Sequence, residues 1–260
     1  MIRILAPNPG PFTLEGTNTW VVGEGPAVVI DPGPPDQEHV EAVLRRAAPV
    51  GAILLTHHHQ DHAGGAAALS GATGAPVLAF MPREGERPLA GGQRIEAGGV
   101  GLRAMRSPGH SSDHMVFHDP DSGALFTGDA VLGRGTSVVD PPGGDMADYI
   151  RSLEAMLSLG PKVLYPGHGP IVEGAVEKLQ EYLEHRAMRE GQVVQALREA
   201  GIPRSPRELV PAIYAHFPPE LHGAAARSLL AHLIKLEREG RVVRSGPAEE
   251  ERFRIVAGSS

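Results

Sequence analysis

The chain has 260 residues, 24 basic and 31 acidic side chains, a formal charge of −7 with histidine neutral, and no cysteine. The missing thiols exclude a disulfide framework, a thiolate zinc site, an iron–sulfur cluster and a cysteine nucleophile. No apolar run nears the roughly 20 residues that cross a bilayer, and the opening Met1-Ile2-Arg3-Ile4-Leu5-Ala6-Pro7 meets proline too early for a signal-peptide core, so a soluble cytoplasmic protein with no membrane partner is expected.

The 33 glycines and 24 prolines are spread between apolar runs and read as turns. Residues 19–22 and 27–30 are apolar and partly β-branched, with Gly23-Glu24-Gly25-Pro26 between them, the pattern of a hairpin. Helical spacing over 36–48 places Val40, Val43 and Leu44 on one side. A buried strand at 52–55 runs into Thr56-His57-His58-His59-Gln60-Asp61-His62 and an alanine-rich helix start. Further strands are predicted at 77–80, 100–105, 115–117 and 124–126, then a helix at 147–159 and a strand at 163–165. Strands that feed turns that feed helices make the chain α/β. After residue 173 the pattern becomes helical: 175–200, stopped by Gly201; a short helix from the Ser205-Pro206 cap to about His216; and 220–239, stopped by Gly240. Residues 241–244 and 252–256 can pair as a terminal hairpin, which completes a winged-helix pattern. The expected division is 1–173, a connecting helix 174–200, and a small unit 201–260. Residues 181–260 carry 12 basic and 11 acidic side chains, against 12 and 20 in 1–180, weak support for nucleic-acid binding by the tail.

Histidine placement is the strongest chemical signal. In an extended segment alternate residues face the same way, so His57 and His59 can grip one ion while His58 turns aside, as a solvated spacer or a substrate contact. Asp61 and His62, a step later, can face a second ion. A histidine-rich turn alone is ordinary polar surface, but three later segments repeat a ligand in a turn after a strand: Ser107-Pro108-Gly109-His110, Phe126-Thr127-Gly128-Asp129 and Tyr165-Pro166-Gly167-His168. Imidazole and carboxylate suit divalent zinc, and catalytic zinc keeps a position open for water.

THHHQDH, SPGH, FTGD and PGHG, in that order across residues 17–172, resemble the metallo-β-lactamase superfamily. The resemblance implies an αβ/βα sandwich with the site at one edge. It implies His57, His59 and His110 on a first metal, Asp61, His62 and His168 on a second, and Asp129 bridging. A narrower resemblance, to the beta-lactamase-like protein 2 family, rests on Gly16-Thr17-Asn18-Thr19, Gly109-His110-Ser111-Ser112-Asp113-His114-Met115, Leu132-Gly133-Arg134-Gly135-Thr136, His185-Arg186 with Arg189-Glu190, and residues 233–240. It implies a winged-helix-like tail, two zinc ions (Zn2+, with Mn2+ or Fe2+ as alternatives) and endoribonuclease activity on single-stranded RNA; it leaves a homodimer open. Two such ions lower the pKa of bound water from about 16 to near 7 and so supply hydroxide. The sequence departs from the family in lacking cysteine and in the insert Pro141-Pro142-Gly143-Gly144, which can reshape the site's rim.

Asp61 is placed to hold the nucleophile's proton while also ligating. His114 either protonates the leaving oxygen or fixes the ligand loop by a hydrogen bond. Asp31 is expected to brace the ligand loop, with Thr56 beside it. Arg134, Thr136 and Ser137 line the cleft or form a surface loop, Asn18 is a turn residue or a cleft polar group, and the tail arginines form a solvated helix face. The competing function is a carboxylic ester or thioester hydrolase resembling glyoxalase II (hydroxyacylglutathione hydrolase), acting on a small thioester with the same seven ligands.

Overall fold

The computed structural model describes residues 1–47, 49–247 and 251–256; Ala48 of the expected helix 36–48, and positions 248–250 and 257–260 of the expected C-terminal unit, lie outside them. The elements are β1 (Ile2–Leu5), β2 (Asn18–Val22), β3 (Ala27–Ile30), α1 (Gln37–Ala47), β4 (Val50–Leu54), α2 (Gln60–Ala63), α3 (Ala66–Thr73), β5 (Val77–Ala79), β6 (Arg87–Pro88), β7 (Arg94–Ala97), β8 (Val100–Arg106), β9 (Met115–Asp119) and β10 (Ala124–Gly128). There follow α4 (Met146–Ser158), β11 (Val163–Pro166), α5 (Ala175–Ala200), α6 (Pro206–Ile213), α7 (His222–Arg238), β12 (Val242–Ser245) and β13 (Arg252–Ile255).

Strands β1-β2-β3-β4-β5-β6 form one sheet and β11-β10-β9-β8-β7 the other. Side chains that alternate along a strand are sorted to its two faces. Val28 and Ile30 of β3 face Met115 and Phe117 of β9 in the core between the sheets, with Trp20, Leu54, Leu102 and Phe126. Val29 and Ile53 turn the other way, onto Val40 and Val43 of α1 and Leu69 of α3. Val116 and Leu125 do the same in the second sheet, onto Tyr149, Leu153 and Met156 of α4 and Leu179 and Tyr182 of α5. Helix, sheet, sheet, helix is thus the layer order. The hairpin between β2 and β3 pairs Val22 with Val28, and β3, β4 and β5 run parallel.

Three strands escaped the sequence reading: β1, β6 and β7. Each lies at a sheet edge. An edge strand buries less and carries a mixed composition, so its period-2 signal is faint.

The tail has its own core, in which Val193 and Leu197 of α5 meet Leu209, Leu229, Leu233, Val242 and Phe253. Ser205 caps α6 in a reciprocal box with Glu208, and Pro206 occupies the first turn. That helix stops at Ile213 rather than near His216, and α7 begins at His222 after a 3-10 turn at Pro219–Leu221. The segment 214–221 is therefore irregular, and this places aromatic side chains over the site described below. Strands β12 and β13 pair antiparallel. Among the described residues no helix is long and apolar enough to cross a membrane.

Candidate metal centre

The ligand-bearing segments follow the C-terminal ends of β4, β8, β10 and β11, the edge where α/β sheets hold ligands. After β4 the chain stays extended to His59 (φ −62°, ψ 143°) and then turns into α2. His57 and His59 thus share one direction, and the single turn of α2 carries Asp61 and His62 to the other side.

Two clusters result: His57, His59, His110 and Asp129, and Asp61, His62 and His168, the ligand atoms within each lying within 4.8 Å of one another. Asp129 stands between them. Its Oδ1 is 3.3 Å from both His62 Nε2 and His168 Nε2, and its Oδ2 is 3.7 Å from His110 Nε2. Asp61 Oδ2 lies 3.2 Å from His168 Nε2 and 3.4 Å from His62 Nε2. All seven expected ligands come together.

Hydrogen bonds on the far side of each ring set its tautomer. His62 Nδ1 donates to Asp31 Oδ2 (2.8 Å), His110 Nδ1 to the Val138 carbonyl (2.8 Å) and His168 Nδ1 to the Gly16 carbonyl (3.2 Å). Thr56 gives its only hydroxyl proton to Asp31 (2.7 Å), so at 2.9 Å it accepts from His57 Nδ1. Four Nε2 lone pairs are thereby turned inward. His62 Nε2 faces His168 Nε2 at 3.1 Å, His110 Nε2 faces His59 Nδ1 at 3.1 Å, and buried His57 Nε2 has no hydrogen-bond partner. Lone pairs pressed together beside two carboxylates fit a pair of divalent cations, and the histidine and aspartate donors suit zinc, iron or manganese.

Without a metal, protons are the only available cations. Burial favours neutral His168, but the charge of Asp129 and the hydrogen bonds that the ring donates to Asp129 and Asp61 outweigh it and lift the ring to about 9. His62 is raised in the same way: burial opposes charge, and Asp129 and Asp31 overcome it. At Asp61 burial again opposes charge, and the hydrogen bond to His168 with the nearby imidazoles holds the carboxyl at about 2. A raised histidine stabilises the apo fold fully below its unfolded pKa, about 6.5, and that contribution is lost as pH climbs through about 9. Metal uptake must displace these protons. Zinc titrations of the stripped protein are therefore expected to show tighter binding and less proton release as pH rises from 6.5 to about 9; affinity independent of pH would contradict the assignment.

A family model described as Metallo-beta-lactamase superfamily matches residues 12–168, and one described as Beta-lactamase associated winged helix domain matches 205–250. The chain belongs to the metallo-beta-lactamase superfamily. It is 36% identical over 274 residues to the Beta-lactamase-like protein 2 homolog of Drosophila melanogaster, covering 96% of this chain and 92% of that protein. It is 38% identical over 270 residues to the Lactamase-like protein nscB of Arthroderma benhamiae, covering 96% of this chain and 60% of that protein. A metallo-beta-lactamase family protein of Thermus thermophilus shares the fold over 98% of both chains, with a TM-score of 0.82 at 24% identity. The superfamily protein TTHA1623, solved in a di-iron-bound form, is 30% identical with a TM-score of 0.57, over 68% of this chain and 96% of that one. Superfamily members are generally hydrolases, and the two clusters here form a candidate dinuclear site.

The surrounding residues refine the sequence reading of this superfamily member. Asp31 takes the bracing role, accepting from the Thr56 backbone and hydroxyl and from His62. His58 is no solvated spacer. Its Nδ1 meets Asp113 at 2.6 Å and its Nε2 meets Glu86 at 2.9 Å, so it staples the ligand loop to two others. The alternation that aims His57 and His59 inward aims His58 at this carboxylate pair. His114 is wholly buried and its Nε2 accepts the Asp129 backbone N–H at 3.1 Å, which fixes the loop that carries Asp129. Burial, with His110 nearby, pushes that ring down to about 3. Asn18 is a buried strut: its amide donates to the Pro166 and Gly169 carbonyls, both at 2.9 Å, and so holds the His168 turn. Gly167 lies against the centre. A Cβ there would sit 2.6 Å from His62 Cε1 and 2.7 Å from Asp129 Oδ1. Gly167→Ala is expected to cut metal stoichiometry from two toward one with little change in far-ultraviolet circular dichroism; two tightly held ions would argue against this packing.

Two cavities meet the centre. One, of about 590 Å³, is its mouth and includes His59, Asp61, Arg227 and the insert residues Pro141, Pro142 and Gly143. The other, of about 430 Å³, touches His110 and Asp129 and runs between the loop 132–138 and the tail, past Phe12, Leu132, Tyr214 and Phe217. Arg134, Thr136 and Ser137 line it as the cleft reading expected. The tail arginines are not simply a solvated face: Arg186 is buried and Arg227 pairs with Asp140 at the mouth. The aromatic wall was missed, because Tyr214 and Phe217 fall in the irregular segment that the helix pattern hid.

Proposed function

We propose that this chain is a dinuclear zinc hydrolase acting on carboxylic esters or thioesters with a large apolar group. The observation that carries the reading is the mainly apolar cavity that opens on His110 and Asp129. Apolar and aromatic walls with a few polar groups suit a small organic substrate. A polyanion needs cations instead; here Arg227 at the mouth and Arg134 in the adjoining cavity are already paired with Asp140 and Glu15, and the charge of residues 1–180 is acidic.

When bound, two divalent ions supply a water of near-neutral pKa and polarise the substrate oxygen. The chain's own groups do the rest. Asp61, ionised at neutral pH and partly open to the mouth, accepts the hydrogen bond of the attacking water and orients it. Asp129 holds the two clusters at a fixed separation, and His114 holds Asp129 by its backbone. Phe12, Tyr214 and Phe217 exclude water from the apolar group of the substrate. His114, fully buried, positions the bridging loop in this scheme and donates no proton to the leaving group.

A second reading is cleavage of phosphodiester bonds in single-stranded RNA. The whole-length likeness to the Beta-lactamase-like protein 2 homolog supports it, as do Arg186 and Arg227 bordering the two cavities. One experiment separates them. The protein, its metal content measured, is given phenylacetyl and octanoyl thioesters, S-lactoylglutathione and labelled single-stranded RNA. Turnover is expected on the apolar thioesters, well ahead of S-lactoylglutathione. RNA cleaved with all thioesters intact would overturn the first reading for the second, and iron in place of zinc would overturn the metal assignment.

A further inference from the structure

The cavity beside the metal centre has a cationic end. His185 and Arg186 of α5 line it. Arg186 is 3% exposed; one of its amino groups donates to the Ser137 carbonyl at 2.6 Å, its Cζ lies 5.0 Å from the Tyr149 ring centre, and its buried Nε has no partner. Beside it, among the described residues, Arg189 bonds to the Gln192 side chain and the Ile213 carbonyl, with its Cζ 4.2 Å above Tyr214. Among the described residues no carboxylate lies within 4.0 Å of either guanidinium, whereas nearby Lys235 is matched by Glu190 and Glu239. His185 Nδ1 and both ring nitrogens of buried His232 are also without partners. Burial first, and then these arginines, drive His185 down to about 4 and His232 to about 3. The local field is therefore positive, and among the described residues no carboxylate pairs with either arginine.

A buried guanidinium without a counter-charge is costly, and proteins ordinarily pair it. The protein has kept this one at the wall of an apolar cavity whose other end is the hydrolytic centre. We infer that Arg186 and His185 form a carboxylate subsite, and that the substrate's apolar group carries an acid function at the end remote from the scissile bond. This rests on the ester and thioester reading and narrows it to half-esters and half-thioesters of apolar dicarboxylic acids. The planar fork of Arg186 suits a carboxylate, Phe217 and Leu132 cover the hydrocarbon between, and a neutral substrate would leave the cation unanswered.

Calorimetric titration of the chelator-stripped protein tests the subsite without turnover. The probes are 3-phenylpropionate, its neutral amide and uridine 5′-monophosphate. The carboxylate is expected to bind at least about tenfold more tightly than the amide, as a site built for one polar group rejects an analogue lacking it. Arg186→Gln should erase that preference and Arg186→Lys keep part of it, while Phe217→Ala should weaken both phenyl probes alike. Equal binding of acid and amide to the unaltered protein would overturn the inference. So would a preference that survives in folded Arg186→Gln, or tighter binding of the nucleotide than of 3-phenylpropionate. Should Arg186→Gln fail to fold, the unaltered protein and Arg186→Lys still decide. Failure of the ester reading registers separately, as thioesters left intact by the metal-loaded enzyme.

Discussion

Asp129→Ala is expected to abolish hydrolysis, with kcat falling by about a thousandfold or more, the scale seen when one preorganised electrostatic group leaves a reaction centre. Asp129 faces both clusters, with Oδ1 toward His62 and His168 at 3.3 Å and Oδ2 toward His110 at 3.7 Å. Its loss removes a negative charge and the two oxygens that face the clusters from a site crowded with imidazoles, and the remaining nitrogens and Asp61 would have to hold two cations against their mutual repulsion. The backbone around it should survive. The Asp129 N–H still reaches His114, Leu132 N–H still donates to Tyr182 Oη at 2.9 Å, and Tyr149 Oη still donates to the Ala130 carbonyl at 2.5 Å. Folding should thus be near normal while metal content falls toward one or none. The check is metal analysis and steady-state kinetics on the same preparation. Turnover retained at the original rate would point to a contaminating hydrolase or remove the bridge from the mechanism.

The candidate ligand set was legible in the sequence because each of its segments follows an apolar strand, and such strands are the elements that hydrophobic pattern exposes best. His57 and His59 follow β4, Asp129 follows β10 and His168 follows β11. Their braces were legible less evenly. Asp31 announces itself after β3, but the Asp113 and Glu86 that clamp His58 lie 55 and 28 residues away, and no local pattern signals a pairing across such a span. Asn18 read as a turn residue or a cleft polar group, and its role as a strut was hidden because its partners, the carbonyls of Pro166 and Gly169, are 148 and 151 residues on. The cavity was hidden for another reason. Its wall is built from Phe12 in a loop near the start, loop 132–138, and the irregular stretch after α6, so it belongs to no single element. Irregular backbone carries no periodicity, and periodicity is what a sequence reading follows.

That wall also changes what the winged-helix segment means. A helix, turn and hairpin of this kind commonly suggests nucleic acid, yet here α7 packs against α4 and α5, and Ala224 and Arg227 of α7 reach the mouth of the metal centre. The segment completes the cleft. Sequence changes over residues 214–228 should accordingly alter which substrate is chosen, while changes in the four ligand turns should alter whether anything is cleaved.

Asp31→Asn separates bracing from ligation. The Asp31 carboxylate is 1% exposed. Its Oδ1 accepts the Thr56 N–H at 2.8 Å, and its Oδ2 accepts both the Thr56 hydroxyl at 2.7 Å and His62 Nδ1–H at 2.8 Å. Since the Thr56 hydroxyl in turn accepts from His57 Nδ1 at 2.9 Å, one side chain orients a ring in each cluster. An amide of the same shape has only one acceptor oxygen. If that oxygen keeps Thr56 N–H, its NH2 confronts two donors; His62 must then turn its proton inward, onto the Nε2 that faces Asp61, Asp129 and His168. Metal affinity is expected to fall by about 10- to 100-fold, the range for loss of a hydrogen-bonded brace behind a ligand, with the Asp61, His62 and His168 cluster emptied first. Because the ligands themselves remain, excess zinc should restore most of kcat, which it cannot do for Asp129→Ala. Competition with a chelator of known zinc affinity measures the loss. Unchanged affinity in the folded variant would mean that the His62 tautomer is set elsewhere, and the bracing role would pass from Asp31 to the packing around it.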